Sequence, residues 1–167
     1  MDENLENKTD FKNRLSSFFN NNKKKLIFLL SLIIIIFSSV AIFKIQEKKN
    51  FDSIAEKYIE ASLKLSSDQE ESKKIFNEIL LSKNKFYSIM ALNVILEKEL
   101  EKNKEKILEY FNLVESINLT RNQKDLILFK KSLFLLKEGD QEGEKILKKL
   151  IQDNSKYKSL AEEIIQN

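Results

Sequence analysis

Hydrophobic and polar positions alternate along this chain in two different ways. Residues 26–43 read LIFLLSLIIIIFSSVAIF, eighteen positions without a charge, a glycine or a proline. From Phe51 onward the apolar residues instead recur at helical spacing, with charged residues between them. The first pattern predicts a transmembrane helix. At about 1.5 Å per residue, eighteen residues reach ~27 Å, close to the ~30 Å hydrocarbon core of a bilayer. A buried core helix would normally keep a polar stripe. Here the only polar positions are Ser31, Ser38 and Ser39, whose hydroxyls can bond back to the helix. A cleaved signal peptide would use Ser39-Val40-Ala41 as its small-x-small site. The run is longer than the roughly 7–15 residues of a signal core, and its 25-residue head is long for a leader, so an uncleaved anchor is expected.

The second pattern predicts helix throughout the remainder of the chain. There is no proline, and the two glycines are Gly139 and Gly143. No segment alternates as a half-buried strand would. The periodicity predicts helices over 50–65, 69–82, 85–101, 104–117, 122–138, 140–152 and 156–166. Phe51, Ile54, Ala55, Tyr58 and Ile59 form the inward side of the first; Tyr157, Leu160, Ala161, Ile164 and Ile165 form that of the last. The expected core includes Phe76, Leu80, Met90, Ala91, Phe111, Leu133, Leu147 and Leu150. Turns are expected at Ser67-Asp68, Lys83-Asn84, Asn103, 118–121, Gly139-Asp140 and Asn154-Ser155. Gly139 suits a left-handed helix end and Asp140 a cap for the helix that follows. Short links make sequential helices antiparallel neighbours. The fold class is therefore all-α: one N-terminal transmembrane helix followed by a helical domain, divided as a head over 1–25, a span over 26–43 and a domain over 44–167.

Charge adds an orientation. The formal net charge is +3, made of +2 in residues 1–25, +2 in 26–49 and −1 in 50–167. Lys8, Lys12, Arg14, Lys23, Lys24 and Lys25 precede the run, while Lys44, Lys48, Lys49 and Lys57 follow it. This bias favours a cytoplasmic N-terminus. Phe18 and Phe19, on one helical face with Phe11 and Leu15, could sit at headgroup depth beside Lys23, Lys24 and Lys25, with Lys44 flanking the other end. The nearly neutral charge of the domain, with signs interleaved, argues against nucleic-acid binding.

Candidate chemistry is sparse. The chain has neither cysteine nor histidine, which removes thiol chemistry and the commonest general base and metal ligand. Glu70-Glu71, Glu99 with Glu101, and Glu162-Glu163 are carboxylate pairs. Adjacent helix positions diverge by about 100°, so such pairs read as solvated faces. Asn7-Lys8-Thr9 and Asn118-Leu119-Thr120 have the glycosylation sequon and read more simply as turn residues. No phosphate loop, serine elbow or metal constellation is present, so neither an enzyme nor a cofactor is expected, and an anchored enzyme stands as the weakest alternative.

An internal echo appears at an offset of seventy. Phe76, Leu80, Leu81, Asn84, Tyr87, Met90, Ala91, Val94 and Ile95 match Ile146, Leu150, Ile151, Asn154, Tyr157, Leu160, Ala161, Ile164 and Ile165. Seventy is about twice the 34-residue period of helix-turn-helix solenoids. Gly139-Asp140-Gln141-Glu142-Gly143 followed by Ile146-Leu147-Lys148-Lys149-Leu150-Ile151 resembles the turn and second helix of a tetratricopeptide repeat. More narrowly, the Phe18-Phe19 pair, the lysine-flanked run and Asn154-Ser155-Lys156-Tyr157-Lys158-Ser159-Leu160-Ala161 resemble the ancillary subunit of the bacterial Sec translocon, the YfgM-like family. Gly143 stands about one position early for that pattern, and the span lacks the glycines common in relatives.

This resemblance implies a tetratricopeptide-like solenoid of about seven helices, anchored in the bacterial inner membrane and facing the periplasm. The chain would serve as a scaffold for protein partners, the Sec translocon or a membrane-anchored chaperone, without a small-molecule substrate. Another envelope assembly, in division, secretion or cytochrome maturation, is the alternative partner. Helical solenoids line their concave side with the first helix of each pair, here helices one, three and five. Tyr58, Tyr87, Asn93, Lys124 and Lys131 are the candidate partner-binding residues on that side.

Overall fold

The computed structural model describes the backbone of residues 3–166 and the side chains of 22–25, 27, 28 and 31–166. Among the described residues there are seven helices and no strand: α1 (Glu3–Lys64), α2 (Gln69–Leu81), α3 (Tyr87–Glu97), α4 (Lys104–Glu115), α5 (Arg121–Lys137), α6 (Glu142–Gln152) and α7 (Lys158–Gln166). The fold is all-α. The chain divides into two compact units, Met1–Lys49 and Asn50–Asn167.

The first unit consists of helix α1 alone over its described part. Nothing in the sequence interrupts that helix, since no glycine or proline occurs before Gly139. The side chains of Phe11, Leu15, Phe18 and Phe19 lie outside the described residues. Lys23, Lys24, Lys25 and Lys44 are exposed. Every described side chain of the apolar run is exposed too, including Phe28, Ile35, Phe37 and Phe43. The Ser31 and Ser39 hydroxyls donate to the carbonyls of Phe28 and Ile35 at 2.7 and 2.8 Å, satisfied within the helix. Among the residues whose side chains are described, no helix is long and apolar enough to cross a membrane. Leu26, Leu29 and Leu30 lie outside that set, and its unbroken apolar stretch is 31–43.

The second unit is a layered packing of the end of α1 with α2 to α7. Its larger core joins α1 to α4 and the start of α5 around Phe76, Ile79, Leu92, Ile95, Phe111, Val114 and Ile127. A second cluster joins α5, α6 and α7 around Leu147, Leu150 and Ala161. From α2 to α7 sequential helices pack on one another, and α2 also packs on α4.

Two close crossings organise the unit. Ser72 is fully buried on α2, and its hydroxyl donates to the Ala61 carbonyl of α1 at 2.8 Å. Gly143 on α6 lies so close to α5 that a Cβ there would stand 2.6 Å from the Ser132 carbonyl oxygen. The partners are 71 positions apart in both members, 61 and 132, then 72 and 143. The buried pairs Phe76 with Leu147 and Ile79 with Leu150 keep that spacing. The left-handed turn residues Lys83 and Asn154 keep it as well. The internal echo is therefore in register at 71 over α2 and α6, and at 70 only in α3 and α7, where Ala91 and Ala161 are both fully buried. Gly143 stands where the register of 71 requires a small residue, at the position equivalent to Ser72.

The turns form much as expected. Asp68, Asn103 and Thr120 cap α2, α4 and α5, each side chain accepting a backbone N–H, and Thr120 with Gln123 completes a capping box. Helices α3, α5 and α6 end alike. Leu100 N–H bonds the Ile95 carbonyl, Asp140 N–H that of Leu135 and Ser155 N–H that of Leu150, around left-handed Glu99, Gly139 and Asn154. That ending stops α3 at Glu97, short of the expected 101. Helix α6 starts at Glu142, not 140, although Asp140 still accepts the Glu142 N–H at 3.0 Å.

Several expected core positions are displaced. Phe76, Leu80, Ala91, Phe111, Leu147 and Leu150 are buried as expected. Met90 is only half-buried, and Leu133 is exposed. Helix α5 is apolar on nearly all sides, so periodicity alone does not fix its inward face. The structure turns Ile127, Ser132 and Leu135 inward, because Gly143 of α6 must approach Ser132. Ile59 on α1 and Leu160 on α7 are exposed as well, since Ala61 and Ala161 take the closest contacts of their helices.

Candidate functional site

Tyr58 and Tyr87 meet. Their ring centroids are 5.7 Å apart, and Tyr58 leans edge-on against fully buried Phe76 at 5.7 Å. Tyr87 also touches Phe51 at 5.2 Å and Phe86 at 5.0 Å. The five rings grade from the core outward: Phe76 is buried, the tyrosines are half-buried, and Phe51 and Phe86 are 42% and 54% exposed. The turn before α3 sets this arrangement. Asn84 Oδ1 accepts the N–H groups of Phe86 and Tyr87, both at 3.0 Å, and fixes where the two rings leave the backbone. The tyrosines are thus the inner part of an aromatic patch whose outer part is Phe51 and Phe86.

Lys124 stands in a second place. It lines an open cleft with Leu119, Arg121, Asp125, Leu128, Lys149 and Asp153, where the start of α5 meets the end of α6. Arg121 Nη2 donates to the Asp153 carbonyl at 2.5 Å, and Asp125 accepts the Ser155 hydroxyl at 2.8 Å. Three cations against two carboxylates leave the cleft net positive. Lys131 is not in it. Its ammonium donates to Glu115 at 2.7 Å and Asn112 at 3.0 Å, tying α5 to α4. Asn93 is half-buried on α3, with an Oδ1 that has no hydrogen-bond partner. Of the five residues singled out from the sequence, Tyr58 and Tyr87 therefore come together, while Asn93, Lys124 and Lys131 stand at three separate positions.

No family model, curated protein or solved structure matches this chain.

A half-buried polar cluster joins α2 to the turn before α4. Glu101 accepts the N–H groups of Lys102 and Asn103 at 2.8 and 2.9 Å through Oε1, and pairs with Lys73 at 2.9 Å through Oε2. The Asn103 amide first, then the Lys73 ammonium, hold the Glu101 carboxyl below its ordinary range. The same bond raises Lys73. Burial pushes the neighbouring Tyr110 phenol up. Its hydroxyl lies beside the Asn77 amide without closing a hydrogen bond. This cluster closes the turn before α4 and clamps it to α2, with Glu70 adding a second negative charge near Lys73. Among the described residues no group of histidine, cysteine or carboxylate side chains could hold a metal ion.

Phe51, Phe86, Arg121 and Lys149 were not singled out from the sequence as binding residues. One signal was present. Lys48-Lys49-Asn50-Phe51 and Lys83-Asn84-Lys85-Phe86 are near copies of one another.

Proposed function

We propose that this chain is a single-pass, membrane-anchored interaction scaffold of the bacterial envelope. The observation that carries the reading is the exposed apolar run of α1. Ile35 is 61%, Phe37 72% and Phe43 72% exposed, on a helix with no polar face over that stretch. Burying a large apolar side chain is worth about 1.5–3 kcal/mol, so such a helix belongs in an apolar medium. A bilayer meets that requirement around the whole circumference of residues 26–43, and the flanking lysines suit its two surfaces.

The domain over 50–167 is read as a tetratricopeptide-like solenoid. The matched crossings of α1 with α2 and α5 with α6 support this, as does the stacking of sequential helices. Stacked helix pairs build surfaces that bind other proteins. The net-positive cleft of Arg121, Lys124 and Lys149 is the protein-binding surface best supported by charge and exposure. The resemblance to the YfgM-like family supports a place beside the Sec translocon or a membrane-anchored chaperone, with the N-terminus cytoplasmic and the domain periplasmic. Anchoring raises the effective concentration of the domain at its partner. Crosslinking in intact cells, followed by pull-down, tests this reading. Full-length protein should recover translocon components or a membrane-anchored chaperone, and residues 50–167 far less. Equal recovery would reduce the anchor to an address, and recovery of no envelope protein by either form would overturn the scaffold.

A further inference from the structure

We propose that the aromatic patch of Phe51, Phe86 and Tyr87 seats the domain on the headgroup region of the bilayer that holds the anchor. The proposal rests on the anchored reading and adds a second, peripheral membrane contact to it. Phe51, at the start of the domain, and Phe86, in the turn Lys83-Asn84-Lys85-Phe86, are brought together through the ring of Tyr87, which touches both. Both phenylalanines are exposed, and so are Lys83 and Lys85. These two lysines outnumber Asp52, the acidic residue next to Phe51 in the sequence.

Rings that enter the acyl boundary beside ammonium groups that meet lipid phosphates are the chemistry of an interfacial contact. Anionic headgroups would favour it further, because lysines near such a surface are attracted individually. Chain reach puts the bilayer within range whatever the arrangement of the domain. Phe51 follows Phe43 by eight residues, which span at most about 29 Å even when fully extended. A partner protein could also cover aromatic rings, but Lys83 and Lys85 place local positive charge beside Phe86 on a domain whose net charge is −1, which suits anionic headgroups.

The chain contains no tryptophan, so one substitution provides a clean fluorescent reporter. Full-length Phe86→Trp, reconstituted in vesicles of zwitterionic and anionic phospholipid, should emit at shorter wavelength than in detergent. It should lose about half its emission to lipids brominated near the headgroup end of the acyl chain. Phe51→Trp should behave alike and guards against a local defect at position 86. Leu160→Trp, at an exposed position on α7, should not be quenched. Ile35→Trp, within the apolar run, should be quenched by deeply brominated lipids and reports the anchor itself. Quenching of Ile35→Trp without quenching at 51 or 86 would overturn this proposal and leave the anchor standing. A shift at 86 that needs an added envelope protein and no lipid would overturn it in favour of a protein contact. No quenching at 35 would overturn the anchored reading, and this proposal with it.

Discussion

Gly143 of α6 crosses α5 at close range beside Ser132. A Cβ at 143 would stand 2.6 Å from the Ser132 carbonyl oxygen and 2.9 Å from the Leu136 side chain. The first of these neighbours is backbone, so relief requires α5 and α6 to separate. Overpacking of this kind costs about 1–3 kcal/mol, and alanine recovers ~1 kcal/mol of helix propensity over glycine. Gly143→Ala should therefore destabilise the domain by about 1 kcal/mol net, and Gly143→Leu should prevent α5–α6 docking. Gly139→Ala should cost about 1 kcal/mol for a different reason: its surroundings are open, but its φ of +70° is left-handed. Denaturant melts of the three variants check this. A net gain from Gly143→Ala would contradict the close crossing.

Leu80 and Leu133 separate the observed core from the expected one. Leu80 is 1% exposed and Leu133 39%. Leu80→Ala should cost about 2–5 kcal/mol. Leu133→Ala should cost under about 1 kcal/mol, in keeping with a side chain that stays partly in water. Equal losses in urea melts would mean that α5 is rotated from the position described.

Stability should depend on pH at both extremes. Glu101 lies below its unfolded value of about 4.3. Its contribution is complete above that pH and is lost as the pH falls through the lower folded value. Lys73 lies above its unfolded value of about 10.4. Its contribution is complete below that pH and is lost as the pH rises through the higher folded value. Glu101→Gln should lower Tm between about pH 5 and 10 and converge with wild type only once the pH has fallen through the lowered folded value of Glu101. A Tm difference unchanged down to about pH 2 would show that the carboxylate charge is not what stabilises the site.

Helix existence and most turn chemistry were legible in the sequence. Asp68, Asn103 and Thr120 cap helices through their own side chains, and Gly139 is left-handed as its place in the sequence implies. The face of α5 was not legible, because Leu126, Ile127, Leu128 and Phe129 are consecutive and any of them could point inward. Left-handed Lys83 and Glu99 were also hidden, since neither residue type announces that conformation. The repeat was visible and in register over α3 and α7, but one residue out over α2 and α6, where matching apolar residues outweighed the equivalence of Ser72 and Gly143 that only the crossings reveal. Of the candidate binding residues, Tyr58 and Tyr87 fell together while Lys131 became an internal ion-pair partner, because long side chains choose partners by tertiary proximity.

Anchoring by residues 26–43 is the central claim, and the absence of cysteine allows it to be tested in cells. Lys24→Cys and Leu160→Cys place single thiols at exposed positions on either side of the run. A membrane-impermeant maleimide applied to spheroplasts should label Leu160→Cys at once and Lys24→Cys only after the membrane is opened. Labelling of both before opening, or of neither, would contradict a single span with the domain outside.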